Sequence, residues 1–264
     1  MQAQSISFYE DNDESFADVK ISESLIFTCR VGGFQNKGDT VVLLHGFPET
    51  SRMWKDLIKV LVQNGYKVIA PDQRGYSNGA RPTKVKDYSI ENLSQDIINI
   101  VDAFEEEKFH LIGHDWGAAI GWGLSASQRD KIISYTALSV PHTDAFGDAI
   151  SNDKVQGKKS YYIYLFKIKF IPETYFKLFN YINLKRLWTS SDQSEIDSYI
   201  DVFSQKNAIK SALNWYRATS LSRTKKIGDV HVPTLMIYGK NDMAIGEKAV
   251  DETEKYIKSS YNLQ

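Results

Sequence analysis

Residues 109–117 read FHLIGHDWG, an apolar run of strand length that leads into a turn between two glycines. Phe109 to Ile112 has the composition of a strand that is buried on both faces, and a helical pattern runs from Asp115 to Ala126. Gly113 and Gly117 allow a sharp turn and close packing of the helix on the strand. Asp115 would then project at the carboxyl end of the strand, where open α/β sheets bind ligands.

The same alternation of strand and helix extends on both sides of this stretch. One or two antiparallel strands are predicted in the first forty residues. Buried strands are predicted at 41–44, 67–70 and 132–140, and helices at 52–63 and 89–104. This order predicts an α/β fold with a mostly parallel sheet flanked by helices.

The alternation is interrupted once, by a long segment without any buried strand pattern. Residues 142–228 show only helical patterns rich in aromatic residues, and a strand pattern resumes at 232–239. We therefore predict a core in two parts, residues 1–141 and 229–264, with a helical insertion at 142–228.

Composition sets broad limits on the function. The 264 residues are 42% hydrophobic and 25% charged, as in globular proteins. A net charge of −1 argues against nucleic-acid and membrane partners. The single cysteine excludes an intramolecular disulfide, and no metal-ligand spacing or phosphate loop occurs, so we predict no cofactor and no metal. We expect no signal peptide or membrane span and a cytoplasmic location.

Asp115 occupies the centre of a G-x-nucleophile-x-G pattern. A carboxylate nucleophile needs no base to remove a proton, and it forms an ester that must then be hydrolysed. A structural alternative is that Asp115 only caps the helix. The loop motif His45, Gly46, Phe47, Pro48 follows the 41–44 strand. Such a loop offers a backbone N–H to negative charge, which nominates the N–H groups of Phe47 and Trp116 as an oxyanion hole.

With these motifs, the chain resembles the epoxide-hydrolase and haloalkane-dehalogenase branch of the α/β-hydrolase fold. The resemblance runs from about Val19 to Leu263 and is carried by HGFPE at 45–49, PDQRGY at 71–76, GHDWG at 113–117 and PTLMIYGKND at 233–242. It implies an α/β-hydrolase fold with a helical cap and a cis peptide bond before Pro48. It also implies that water and a small epoxide are the reactants, and that Phe47 and Trp116 contact the substrate. The many aromatic residues of the helical insertion suggest that the epoxide is apolar.

An epoxide opener needs acids over the ring oxygen, and the family uses two cap tyrosines, which stay protonated at neutral pH. SYYIYLF at 160–166 and LNWYR at 213–217 resemble the two tyrosine motifs. The resemblance nominates Tyr162 and Tyr216 as catalytic residues. The first motif departs from the family pattern downstream, so Tyr161 and Tyr164 stay open as alternatives.

Asp242 matches the acid that orients the family's catalytic histidine, but that histidine is unknown here. It should follow Asp242, whereas all five histidines precede it: His45, His110, His114, His142 and His231. His142 is the least implausible substitute. The family's last strand, histidine loop and final helix are not found after Asp242. We therefore expect the 232–239 strand to be an open sheet edge and the ester to stall without a base.

Two other enzyme functions and a non-catalytic role stay open. Haloalkane dehalogenases hold the halide with the Trp after the nucleophile and often with an Asn where Phe47 stands, and haloacid relatives carry arginines where Trp116 and Ala119 stand. A non-catalytic, shortened homologue is supported only by the missing histidine. Release of a diol would indicate an epoxide hydrolase, release of free halide a dehalogenase, and release of neither product a non-catalytic role. The oligomeric state is not predicted.

A nucleic-acid or membrane role is a further alternative. Residues 154–186 carry seven Lys and one Arg against the single acid Glu173. We expect instead a cap whose lysines face solvent and whose aromatic residues line the substrate channel. Those aromatic residues are Tyr161, Phe166, Phe170, Phe176 and Phe179.

Overall fold

The computed structural model describes residues 5–219 and 226–264. Three antiparallel strands begin it: β1 (Ser5–Asp11), β2 (Glu14–Ser22) and β3 (Leu25–Gly32). Alternate residues of β3 are buried, as the sequence pattern indicates. The sequence predicts at most two strands here, one fewer than the structure contains. Strand β1 is missed because it is almost entirely exposed and so lacks the alternation that marks a half-buried strand.

The rest of the sheet is parallel. Its strands are β4 (Thr40–Leu44), β5 (Lys67–Pro71), β6 (Phe109–His114), β7 (Ile132–Leu138), β8 (Thr234–Ile237) and β9 (Tyr261–Leu263). The order across the sheet is β1-β2-β3-β5-β4-β6-β7-β8-β9. All five residues of β4 are buried. Val42 and Leu44 join the core cluster on one side of the sheet, and Val41 and Leu43 join the cluster on the other.

Helices cover this sheet, as predicted. They are α1 (Lys55–Gln63), α2 (Ile90–Ala103), α3 (Trp116–Ser127) and, near the end, α10 (Glu247–Thr253). Ser89 caps α2 with its side chain. The Phe47–Pro48 peptide bond is cis, as the resemblance implies.

Between β7 and β8 the described residues form six helices and no strand. These are α4 (Thr143–Asn152), α5 (Lys154–Lys159), α6 (Tyr161–Lys167), α7 (Ile171–Lys185), α8 (Gln193–Ser204) and α9 (Ala208–Ala218). Non-helical backbone angles at 178–181 put a kink in α7. We refer to this helical segment as the cap.

Two sets of buried contacts fix α9 in place. The indole N–H of Trp215 donates to the carbonyl of Arg74 at 2.8 Å, and Arg74 in turn forms two 2.6 Å hydrogen bonds with Asp96. On the other side, Arg217 pairs with Glu173 at 2.8 Å. Helix α9 is therefore joined both to the core and to the rest of the cap.

The far edge of the sheet differs from expectation. Strand β9 pairs with β8 in parallel, with Leu235 opposite Asn262. The prediction that β8 is an open edge is therefore wrong. The four residues YNLQ at 261–264 are too few to show a period on their own. None of the helices in the described residues combines the length and apolar character that crossing a bilayer requires.

Candidate active site

Asp115 lies at the sharp turn between β6 and α3. Its φ of 50° is in the left-handed region, which non-glycine residues seldom adopt. Gly117 makes this turn possible, because a Cβ there would lie 2.1 Å from the carbonyl oxygen of Leu44. The chain therefore holds Asp115 in a strained conformation at the carboxyl end of a central strand.

The loop after β4 reaches the same carboxylate. The backbone N–H of Phe47 donates to Oδ1 of Asp115 at 2.8 Å. Gly46 allows this approach, since a Cβ at that position would lie 2.5 Å from Oδ1. One carboxylate oxygen is therefore held by the loop, which leaves Oδ2 for chemistry.

The surroundings of Asp115 act on its charge in opposite directions. Burial raises the pKa of this carboxyl, while the charge of His114 and the backbone N–H groups of Phe47 and Trp116 lower it. The balance is a pKa above the ordinary value of 3.8. A carboxylate with a raised pKa is less stabilised by solvent and hence a better nucleophile than one in water.

Two tyrosines of the cap lie close enough to Asp115 for its charge to act on them. The buried ring of Tyr216 contacts the rings of Phe47 and Trp116 with centroid distances of 5.7 and 5.0 Å. Tyr162 lies 6.2 Å from Tyr216. Burial, with the nearby charge of Asp115, raises the pKa of both phenols. Both therefore stay protonated and able to donate at neutral pH.

The structure distinguishes the three tyrosines of the first motif. Tyr162 points inward, whereas Tyr161 and Tyr164 are 62% and 56% exposed. Of the three, Tyr162 alone is in ring contact with Tyr216.

An aromatic enclosure completes the site, and two of its members, Phe166 and Phe176, are among the residues that the sequence places in the substrate channel. Phe47 is in ring contact with Phe166, Phe176 and Phe203 at 5.6 to 6.2 Å. Phe166 lies four residues after Tyr162, and this helical spacing places both rings on the same face of α6. Phe203 comes from α8, where its sequence gives no signal beyond ordinary amphipathic packing. The site suits an apolar substrate.

Asp242 lies beyond the carboxyl end of β8. Its Oδ1 accepts from the backbone N–H groups of Ala244 and Ile245 at 2.7 and 3.0 Å, and its Oδ2 accepts from the hydroxyl of Ser139 at 2.6 Å. Lys159 of the cap also donates to the Asp242 carbonyl. Ser139 was not predicted, and its φ of 70° at the end of β7 is visible only in the structure.

His45 and His142 are both fixed by their surroundings. His45 is fully buried, and its Nε2 accepts from the N–H of Gln73 at 3.0 Å. His142 accepts from the N–H of Asp144 through Nδ1, and its Nε2 lies 3.0 Å from the carbonyl of Gly228. Its ring also stacks on Tyr256. His142 therefore has no free nitrogen with which to activate a water, and the structure does not support it as the substitute base.

His114 forms a pair that sequence reasoning missed. Its Nδ1 lies 2.9 Å from Oε2 of Glu49. Burial lowers the pKa of this imidazole, but the hydrogen bond and charge of Glu49, with the charge of Asp115, raise it to about 9. Glu49 was quoted in the HGFPE motif without a role. His114 is therefore a cation at neutral pH and is unavailable as a base.

The other two histidines lie away from Asp115. His110 pairs with Ser134 at 2.7 Å, and His231 is exposed before β8. Among the described residues, then, no histidine with a free nitrogen contacts Asp115 or Asp242. The same residues contain no group of three or more His, Cys, Asp or Glu side chains arranged to hold a metal ion.

Comparison with known proteins gives a consistent result. The family model for the α/β hydrolase fold matches residues 39–263. The chain is similar to the AB hydrolase superfamily protein YfhM of Bacillus subtilis (strain 168), with 36% identity over 83% of this chain and 79% of the relative. It is also similar to epoxide hydrolase 4 of Homo sapiens, with 30% identity over 93% of this chain and 70% of the relative.

Among solved structures, the fold is similar to that of an epoxide hydrolase from Bacillus megaterium. The TM-score is 0.81, with 22% identity over 98% of this chain and 91% of that one. At this level of identity the likeness concerns the fold alone.

Proposed function

The chain belongs to the α/β-hydrolase fold family, and on that basis we propose that this hydrolase opens small apolar epoxides through an ester on Asp115. The observation that carries the proposal is the position of the Asp115 carboxylate. Its Oδ1 is held by the Phe47 N–H, the protonated Tyr216 packs on Phe47, and the protonated Tyr162 packs on Tyr216. A haloalkane would need no such acids, because halide leaves without a proton.

In the first step, Oδ2 of Asp115 attacks a carbon of the epoxide ring. The new C–O bond forms as the ring C–O bond breaks, and the electron pair moves to the ring oxygen. Tyr216 and Tyr162 both donate hydrogen bonds to that oxygen, and one of them then transfers its proton to it. The product is a hydroxyalkyl ester of Asp115, and the proton is returned to the tyrosine from water.

In the second step, water attacks the ester carbonyl. The N–H groups of Phe47 and Trp116 would hold the developing oxyanion, and collapse releases the diol and restores Asp115. This step needs a base to activate the water, with Asp242 orienting that base. Because no described histidine is free beside either aspartate, we expect residues 1–264 by themselves to accumulate the ester and release little diol.

The dehalogenase alternative uses the same nucleophile. Trp116 is present as one halide donor, but Phe47 offers no side-chain amide as the second. No arginine stands at Trp116 or Ala119 to bind a haloacid carboxylate. These residues make a halide substrate the weaker candidate.

The experiment compares styrene oxide with 1-bromobutane as substrates of the 264-residue protein. We expect an ester to form with the epoxide. Tyr216→Phe should slow the rate of ester formation strongly, whereas Tyr161→Phe should leave that rate unchanged. Bromide release, with no epoxide consumed, would assign the protein to the dehalogenase reaction instead. The Tyr161 variant serves as the matched control because it removes a phenol that faces solvent.

A further inference from the structure

The outward side of helix α6 is apolar. Tyr161, Tyr164 and Leu165 are 62%, 56% and 45% exposed, and Ile168 continues the same stripe at 43%. The spacing of three and four residues places Tyr161, Tyr164 and Leu165 on one face of the helix, and Ile168 follows directly after its end. The opposite side carries Tyr162 and Phe166, which face the active site. A helix that is apolar on both sides needs a partner for each of them.

The turn before α7 and the kink within it carry two more exposed aromatic side chains. Phe170 is 78% exposed and has a φ of 69°, while Phe179 is 81% exposed with a φ of 48°. Bulky residues seldom adopt such angles. The expectation that Tyr161, Phe170 and Phe179 line the substrate channel is wrong, because all three side chains are largely exposed to solvent.

The same surface is positively charged. Lys154 and Lys158 line an open groove of ≈ 520 Å³ together with Tyr161. The ammonium group of Lys167 lies 5.6 Å from the centre of the Tyr164 ring. None of these three lysines forms an ion pair within residues 5–219 and 226–264.

The one acid of the segment does not offset this charge. Glu173 is paired with Arg217 at 2.8 Å, and both side chains are largely buried. Residues 154–186 therefore present a cationic surface although the whole chain has a net charge of −1. We call it the outer cap face: Lys154, Lys158, Tyr161, Tyr164, Leu165, Lys167, Ile168, Lys169, Phe170, Ile171, Lys177 and Phe179.

We propose that the outer cap face docks on the surface of an anionic lipid bilayer. Aromatic and aliphatic side chains would enter the boundary between headgroups and acyl chains, and the lysines would contact lipid phosphates. This inference stands apart from the proposed chemistry, since it uses no residue of the active site. It differs from the expectation of no membrane partner, which rested on the net charge of the whole chain.

Two other occupants suit the face less well. A second copy of the chain would bring lysines against lysines, which opposes self-association. A nucleic acid would gain from the lysines and from stacking on the aromatic rings, but it would gain nothing from Leu165, Ile168 and Ile171, which offer neither hydrogen bonds nor flat rings. A bilayer surface uses both the charge and the apolar groups.

The test is flotation of the 264-residue protein with vesicles of pure phosphatidylcholine and with vesicles containing roughly one-third phosphatidylglycerol. We expect partitioning onto the anionic vesicles to be at least about tenfold stronger and to weaken as salt rises. The variant Lys154→Glu/Lys158→Glu should weaken it by about tenfold or more. The variant Phe170→Ser/Phe179→Ser should also weaken partitioning onto these vesicles, because it removes two apolar side chains that would enter the bilayer boundary.

The matched control is Lys37→Glu/Lys84→Glu, which changes net charge equally at exposed lysines outside the face. Melting temperatures confirm that each variant is folded. The proposal is overturned if the protein partitions equally onto both vesicle types or does not partition at all. It is also overturned if the control variant loses as much partitioning as Lys154→Glu/Lys158→Glu. Self-association that the Phe170/Phe179 variant abolishes, without vesicle binding, would also overturn it and indicate a second copy as occupant.

Discussion

The backbone N–H of Phe47 and Oδ1 of Asp115 are joined by a 2.8 Å hydrogen bond between residues 68 positions apart in the sequence. The bond exists because β4 and β6 are neighbouring parallel strands, so that the loops after them meet at one edge of the sheet. The two motifs that sequence analysis nominated separately thus form one unit around a single carboxylate.

This contact should be sensitive to one methyl group. In Gly46→Ala, the added Cβ would lie 2.3 Å from Cβ of Asp115, and neither backbone can yield without moving the turn. We expect ester formation to fall by about a hundredfold or more, because small misplacements of a reacting group are costly. The measurement is single-turnover epoxide consumption.

Gly123→Ala is the control for that variant. Gly123 lies in α3, and a Cβ there meets no atom within 4 Å. Alanine should therefore raise the free energy of unfolding by about 0.5–1 kcal/mol and leave the rate unchanged. Similar rates for the two variants would contradict the account of the loop.

The two inward tyrosines should be separable from the outward ones by rate alone. Tyr216→Phe and Tyr162→Phe keep the rings but remove the donors, and each should slow ring opening by about a hundredfold or more. Tyr161→Phe and Tyr164→Phe should leave the rate unchanged, since both phenols face solvent. A strong effect at Tyr164 with none at Tyr162 would reassign the first donor.

The Glu49–His114 pair predicts a pH dependence of stability. The pKa of His114 is raised to about 9 from an ordinary 6.5, so the pair's contribution is complete below about pH 6.5 and is lost as the pH rises through 9. The wild type should lose up to roughly 3 kcal/mol between pH 6 and pH 10 relative to His114→Gln. Urea unfolding of both proteins at the two pH values measures this difference; parallel pH curves would show that the pair does not form.

Two buried tryptophans of the cap allow one hydrogen bond to be measured. Trp215 donates to the Arg74 carbonyl at 2.8 Å, whereas the indole N–H of Trp188 has no acceptor within the described residues. Trp215→Phe should therefore cost about 1–3 kcal/mol more of the free energy of unfolding than Trp188→Phe. Equal losses in chemical denaturation would mean that only ring volume matters at both positions.

Much of this architecture follows from local pattern. The runs at 41–44 and 109–112 are apolar throughout because both faces of those strands are covered, and this is visible in sequence. The position of Asp115 at the turn could be predicted because Gly113 and Gly117, on either side of it, are needed for that turn. In contrast, β1 and β9 escaped correct prediction because one is exposed and the other is too short to show a period.

The rest of the site depends on tertiary contacts that leave no local signal. Ser139 reaches Asp242 only because β7 and β8 are adjacent, and Glu49 meets His114 only because two loops converge. Likewise, Phe170 and Phe179 are exposed at positions with left-handed backbone, which the sequence does not indicate. Helical spacing alone could not indicate which side of α6 faces the active site.

The most direct test of the central claim is the intact mass of the 264-residue protein after incubation with styrene oxide. We predict an increase of one epoxide mass per chain, located at Asp115 by peptide mapping and absent in Asp115→Asn, with little diol in the same tube. An unmodified mass together with steady diol release would contradict the proposal that the ester accumulates because no base activates the hydrolytic water. An adduct that persists in Asp115→Asn would contradict Asp115 as the nucleophile.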